Sequence, residues 1–583
     1  MSTKRILAVA LALILGGSLL AWTVQTSGGD TEIKDVRWVG ANGTEMSGLL
    51  YIPEGVTAEN PAPGIVAIHG YINSRETQDG FAIEFARRGY VVLAADQTGH
   101  GYSDGPAFAN GFGGPDSLTF LRSLDIVDPD NIGLEGHSMG GWAVLIAAAL
   151  QPDGYKSVVI EGSSTGTFGA PDATEDWPRN MAVVFSEYDE FSELMWLTPK
   201  ASDVASSDKL KAAFGTTETV EIGRVYGSIE DGTARALYQP PVIHPGDHLS
   251  RTAIGHAIDW FDMTLDGGNG LDSGSQTWMW KEFGNLLAAI GMVLLLFPVG
   301  AMLLKRPMFA DLAATPEEPK GAVGPGWWAG AAVFTILPAA TLFRFKNWPT
   351  DHEWAPTALF SQNITTQVMM WAIFVGLISL VLFVAWHFGL NRKAEAKLDD
   401  YGLTWAGRFE FGKVGKSLLL SFLIVLAAYI TLVVVAFFFT TDFRFWVFAI
   451  KPMSTLGIRI FLSYLIPFTL FFLVVSVILY GQLRKRALRM RDEMLIVVGL
   501  LIAGFVGLIA WQYIPLLTGG TLGFPDESLW GIIAFQFLPL MTIVGLVSVY
   551  FYRKTARVYV GSFMSAMLVT WIVTASQATH FAF

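Results

Sequence analysis

Apolar and polar positions divide this chain near residue 280. Before that point, short apolar runs alternate with amphipathic stretches. After it, long apolar runs recur to the end. In the first part, residues 33–52 alternate around Asn42-Gly43, the pattern of a hairpin. Runs at 64–68, 90–95, 131–135, 157–160 and 181–185 read as buried strands, with helices at 80–88, 115–126 and 141–150 between them. Strands alternating with helices predict a doubly wound, mostly parallel sheet. Residues 200–213 are expected to be helical, 222–243 to form a hairpin turning at Asp231-Gly232, and 251–261 to form an amphipathic helix.

In the second part, eight runs are long enough to cross a bilayer: 282–304, 326–343, 366–389, 417–439, 459–481, 493–515, 530–552 and 559–580. A further apolar run, 6–22, follows Lys4 and Arg5. It reads as a signal peptide or an anchor, and Leu19, two residues before Ala21, fits a cleavage site poorly, which favours the anchor. Gly267-Gly268-Asn269-Gly270 reads as a flexible joint. The expected organisation is an anchor or signal at 1–22, an α/β domain at 28–266, a linker at 267–281 and an all-α polytopic membrane domain at 282–583.

Charge sharpens that division. Residues 23–280 hold 36 acidic and 14 basic side chains, a net of −22 against −12 for the whole chain, so the remainder carries +10. An acidic first domain argues against a nucleic-acid partner. Segments 1–5, 305–325, 390–416, 482–492 and 553–558 hold nineteen Lys and Arg, whereas the alternate connections hold only Arg344, Lys346, Arg444 and Lys451, with Arg459 at a helix edge. By the positive-inside rule the α/β domain then lies outside the cytoplasm. The expected location is a cell membrane, crossed many times. The predicted spans carry almost no ionisable groups, and His387 and His580 fall near span ends, which argues against ion pumping. The chain has no cysteine, which excludes disulfides, thiolate catalysis and Cys-ligated metals; no cofactor and no metal site is expected.

The chemistry centres on Gly136-His137-Ser138-Met139-Gly140, set between a strand and an apolar helix. A serine in such a G-x-S-x-G turn is a nucleophile elbow, with glycines where side chains would collide. With His69-Gly70-Tyr71 after one strand, Asp96-Gln97-Thr98-Gly99-His100-Gly101 after the next, and an acid after a later strand, residues 33–264 resemble an α/β-hydrolase of the dienelactone-hydrolase and prolyl-oligopeptidase-like branch. The resemblance implies the chain order Ser, Asp or Glu, His, here Ser138, Asp189 and His248. His248 stands in the loop where the family places its histidine, with His244 as the fallback for the base; Glu187 and Glu190 compete with Asp189 for the acid, and Glu187 is the fallback. The family pattern assigns the oxyanion hole to the N–H groups of Tyr71 and Met139. His69, His100 and His137 are expected to be structural, His256 a helix-surface residue, and Asp247 a solvated loop residue.

Between Ile160 and Met181, where many lipases insert a helical cap, residues 162–180 are rich in Ser, Thr, Gly, Asp and Pro and read as a loop, so the site is expected to be open or covered by something else. The resulting expectation is a membrane-integrated serine hydrolase that cleaves a lipid or amphiphilic ester through an acyl-serine intermediate. In arrangement it is similar to the GPI inositol-deacylases. The rivals are a membrane-bound peptidase of the prolyl-oligopeptidase type and a non-catalytic receptor or transporter with a hydrolase-like ectodomain.

Overall fold

The alternating residues of the first part form a ribbon at one edge of a sheet. β1 (Thr31–Val39) and β2 (Glu45–Pro53) pair antiparallel, Thr31 opposite Pro53 and Val39 opposite Glu45. This is a computed structural model, and it describes residues 2–320, 323–577 and 579–582; small parts of the expected loop 305–325 and of the expected span 559–580 fall outside them. β2 lies antiparallel on β4 (Val91–Ala95). Every later neighbour is parallel: β3 (Ala62–Ile68), β5 (Val127–His137), β6 (Ser157–Glu161), β7 (Met181–Val184) and β8 (Arg235–Tyr238). The order is β1-β2-β4-β3-β5-β6-β7-β8, a mostly parallel eight-stranded sheet.

Side-chain alternation sends Ile65 and Ala67 to one face and Val66 and Ile68 to the other. The first face is covered by α2 (Asp79–Arg87) and α7 (Arg251–Thr264), the second by α3 (Gly114–Arg122) and α4 (Met139–Leu150). Two expected elements differ. After α5 (Ser192–Trp196), the helix over 200–213 is a 3₁₀ turn (Ala201–Ser206) and a separate helix, α6 (Asp208–Ala213), because the Ser207 hydroxyl accepts from the N–H of Leu210 at 3.1 Å and caps the new start. Of the hairpin over 222–243, only β8 joins the sheet. Its other arm makes a single bridge, Tyr226 to Arg235, between Gly223 and Gly227, both at positive φ.

The remainder is helical: α8 (Trp278–Leu303), α9 (Pro325–Phe345), α10 (Trp348–Asp351), α11 (Asn363–Gly389), α12 (Phe411–Phe439), α13 (Thr455–Gly481), α14 (Met490–Gly519), α15 (Ser528–Thr555) and α16 (Tyr559–Ser576). Counting α1 (Thr3–Gln25), nine helices among the described residues are long and apolar enough to cross a membrane. α1 runs along α8 at glycine-mediated distance. A Cβ on Gly17 would stand 2.4 Å from the Gly284 oxygen, and one on Gly291 2.8 Å from the Ala10 oxygen. Such contacts let two backbones approach closely.

The two regions are joined by buried charge. Between α12 and α13 lies a small hairpin that sequence patterning missed, Phe443–Phe445 against Phe448–Ile450. From it Arg444 pairs with Asp442 at 2.6 Å and reaches Thr77 at 3.2 Å, while Lys451 pairs with Glu76. Burial opposes the ionisation of Glu76, yet Lys451, Arg75 and Arg444 hold its carboxyl well below the usual range. The Gly267–Gly270 stretch, expected as a flexible joint, is tied down at Arg88. The Asn269 N–H donates to the Arg88 carbonyl at 3.1 Å, and the Arg88 guanidinium donates to the Leu271 carbonyl at 3.1 Å.

Candidate active site

β5 ends at His137 and α4 begins at Met139, leaving Ser138 alone in the turn at φ 55°, ψ −120°. That strained conformation is held by neighbours that tolerate nothing larger than glycine. A Cβ on Gly136 would meet the Gly140 oxygen at 2.3 Å, and one on Gly140 the Ile68 oxygen at 1.9 Å. The Ser138 N–H donates to the Glu161 carbonyl at 2.7 Å, fixing the elbow against β6. Gly70 passes on the other side, where a Cβ would lie 3.0 Å from that of Ser138.

Ser138 opens on a chamber of about 570 Å³ with Tyr71, Met139, Trp142, His244 and His248 in its wall. Met139 is the first residue of α4, where a helical amide has no partner within the helix and the dipole favours negative charge. Tyr71 follows Gly70, and its neighbour Ile72 donates its N–H to the Thr579 hydroxyl at 3.1 Å. The loop between Ile160 and Met181 contributes Phe168, whose ring lies 4.7 Å from that of Trp142. Phe108, Phe191 and Leu194 add to the wall, and the helical region contributes Asn363, Val447, Leu529, Ile532 and Gln536. All five lie beyond residue 360, where no local pattern announces them.

The expected acid and base meet differently from the family placement. Asp189 Oδ2 lies 2.7 Å from Nδ1 of His244, the fallback, and Asp189 Oδ1 accepts the N–H of Phe191 at 2.8 Å. His248 is four residues further along the 3₁₀ turn His244–Leu249. Its ring lies 4.2 Å from His137 and edge-on to Phe81 at 6.0 Å, and neither ring nitrogen has a protein partner among the described residues. The difference has a local cause. The turn starts at His244, with Pro245 as its second residue, so His244 stands at its start with Nδ1 on Asp189, while His248 lies four residues on beside His137. Glu187, the fallback acid, is half-buried, with its N–H on the Pro240 carbonyl.

Asp247, expected in solvent, is fully buried. The Ser186 hydroxyl donates to one of its oxygens, and the other lies 3.4 Å from His137 Nε2. His69 is structural: Nδ1 lies 2.7 Å from the Gly70 carbonyl and Nε2 accepts from the N–H of Gln97. His100 bonds the Thr98 carbonyl at 3.0 Å, and His256 stacks on Tyr238 from α7.

Burial sets the electrostatics. It lowers the His244 imidazole to about 4 and the His69 imidazole to about 3, and holds His248 well below the ordinary value, so these rings are neutral near pH 7. Burial raises the Asp189 carboxyl, with Asp247 adding to the rise and the Phe191 N–H opposing it. A neutral imidazole held at Nδ1 by a carboxylate leaves Nε2 free to accept a proton.

A third carboxylate, which the sequence offers beside Asp189 and Glu187 for the orienting role, has partners that the sequence does not show. Glu190 accepts the main-chain N–H of His244 at 2.8 Å on one oxygen and the hydroxyl of Tyr513 at 2.8 Å on the other. No local signal links two residues 323 positions apart.

The α/β hydrolase fold family matches residues 63–207. Among curated proteins none matches the chain. Of solved structures, an esterase from Pyrobaculum calidifontis is 16% identical, with 46% of this chain and 94% of that one covered and a TM-score of 0.31. Brefeldin A esterase, a bacterial homologue of human hormone sensitive lipase, is also 16% identical, over 46% of this chain and 86% of that one, with a TM-score of 0.29. GrgF, an α/β hydrolase from a Penicillium species, is 22% identical over 25% of this chain, which spans about half of its length (47%), with a TM-score of 0.20. The fold assignment rests on the family match and the sheet order. Both identify the first part of the chain as an α/β-hydrolase fold.

Proposed function

We propose that this hydrolase-fold protein is a serine hydrolase crossing the membrane many times, acting outside the cytoplasm on an acyl ester of a membrane amphiphile. The observation that carries the reading is the contact of Asp189 with His244 at 2.7 Å on the wall of the chamber that also holds Ser138. In this reading His244 Nε2 takes the proton of Ser138 Oγ as the oxygen attacks the ester carbonyl, and Asp189 orients the ring and stabilises the imidazolium. The carbonyl oxygen gains charge and is met by the N–H groups of Met139 and Tyr71. His244 then protonates the leaving alcohol, and water, activated by the same imidazole, releases the acyl group from Ser138.

The membrane part of the reading is supported by the outer surface of α12. Leu419, Phe422, Ile430, Val433 and Phe437 are exposed along it, a patch that water would not tolerate. The sidedness is supported by the exceptions to the charge rule. Arg444 and Lys451 are consumed in buried pairs, and Lys346 lies 2.7 Å from Glu527. Three of the five basic groups on the outer connections are thus neutralised by carboxylates. The lipid-like substrate is supported by Leu529, Ile532 and Val447 in the chamber wall.

The test is labelling of the full chain with a fluorophosphonate probe, followed by a panel of esters, phospholipids and peptides. Labelling is expected in the wild type and absent in Ser138→Ala, with turnover of esters. Labelling that persists in Ser138→Ala rejects the nucleophile, and turnover confined to peptides returns the protein to the peptidase reading.

A further inference from the structure

The loops that carry acid, base and oxyanion donor are each held by the helical region. At the far end of α14, Tyr513 donates to Glu190 Oε1, and Glu190 Oε2 receives the N–H of His244, both at 2.8 Å. At the start of α15, the Ser528 hydroxyl donates to the Glu190 carbonyl at 2.6 Å. From the small hairpin, the Trp446 indole N–H donates to the Pro245 carbonyl at 2.9 Å. On the opposite side of the chamber Thr579 accepts the N–H of Ile72, next to Tyr71. Four contacts from four separate stretches thus fall on residues within one position of Asp189, His244 or Tyr71.

We infer that the helical region is a working part of the catalytic apparatus, with Tyr513 as a positioning residue that acts through Glu190 on the main chain of His244. The inference rests on the serine-hydrolase reading above. The N–H that Glu190 holds is at the very start of the 3₁₀ turn carrying the imidazole, so a shift there tilts the ring relative to Ser138. A misplacement of about 1 Å can cost on the order of 10²-fold in rate.

Glu190 is suited to this task only while its partners are present. It is buried beside Asp189, and burial together with that carboxylate pushes it up to about 8; the His244 N–H and the Tyr513 hydroxyl oppose the shift. A buried carboxyl that loses a donor must find another partner or move. Tyr513 is itself fixed, its ring 4.8 Å from that of Phe535. Tyr513→Phe therefore keeps the packing and removes one oxygen.

The experiment uses the full chain in detergent with p-nitrophenyl acetate, an ester too short to need the helical wall for binding, and the rate of fluorophosphonate labelling. Tyr513→Phe is expected to lower kcat at least 10-fold with KM within 2-fold, and to slow labelling in parallel. Glu190→Ala should do the same, and the double variant should be no slower than Glu190→Ala, because a residue acting through another has nothing left to act on. Tyr480→Phe is the control. It removes a buried hydroxyl bonded to Ser548 at 3.0 Å at the opposite end of the bundle, and should leave kcat unchanged. If Tyr513→Phe does not fold, Ser528→Ala serves instead and should lower kcat about 3-fold. Wild-type kcat in Tyr513→Phe or Ser528→Ala, or losses that add in the double variant, would overturn the inference. A wild type that neither labels nor turns over any ester removes the hydrolase reading itself, a distinct result.

Discussion

Ser138 and His244 line one chamber, and the imidazole that the buried Asp189 touches is the one four residues before the position the family pattern favours. His244→Ala is expected to match Ser138→Ala, a loss on the order of 10⁴-fold or more in turnover. His248→Ala should keep most of the activity, since its ring packs on His137 and Phe81 without touching an acid. Turnover of a chromogenic ester by both variants decides between them. The same burial gives a pH expectation. The proposed mechanism needs neutral His244, and burial moves its protonation down from 6.5 to about 4, so kcat/KM should hold its plateau below pH 6.5 and fall only as pH approaches 4. Within that window the unfolded chain binds a proton that native His244 does not, so stability falls with falling pH. An acid limb centred at or above 6.5 in the pH–rate profile would refute the assignment of a buried, dry base.

Among the elements, α1 and α8 show most plainly how close packing constrains sequence. Gly17 and Gly284 face each other's backbones, and a Cβ added to either would meet the other's carbonyl oxygen, at 2.4 Å from Gly17 and 2.6 Å from Gly284. Gly17→Leu or Gly284→Leu is expected to separate the helices and to cost roughly 1–3 kcal/mol, as overpacking does. Thermal unfolding in detergent reads the loss. Gly16→Leu, where a Cβ meets nothing within 4 Å, is the matched control and should unfold near the wild type. A drop of equal size in the control would mean that the larger side chain itself, not the interhelical contact, is being measured.

At the scale of the whole molecule, the hydrolase sheet and the helical region share one chamber and one buried ion network, Glu76 with Lys451 and Arg444. Two regions joined that way have one orientation relative to each other, so the side on which the helices place their loops is also the side of Ser138. The chain has no cysteine, and single introduced cysteines report sides without background. On intact cells, positions in 215–232 and 519–527 are expected to react with an impermeant maleimide and positions in 484–491 to stay silent until the cells are opened. Reaction in 484–491 on intact cells would invert the proposed arrangement.

Much of this was legible in residue order. Hydrophobic period separated the strands of the sheet from helices long enough to cross a bilayer, and Gly136, Ser138 and Gly140 declared the elbow, because local sterics and periodicity depend only on near neighbours. Asp189 stood out for the same reason, as an acid just past a buried strand. The imidazole it touches did not. His244 and His248 lie in one short loop, and the winding of the 3₁₀ turn from His244 to Leu249 decides which ring meets the acid. Nor could the partners of Glu190 be found, nor Tyr513 and Thr579, nor the cover supplied by Leu529, Ile532 and Gln536. Those contacts join residues hundreds of positions apart, and a hydrogen bond or an apolar wall of that kind leaves no trace in local pattern. It exists only once both regions have folded and docked.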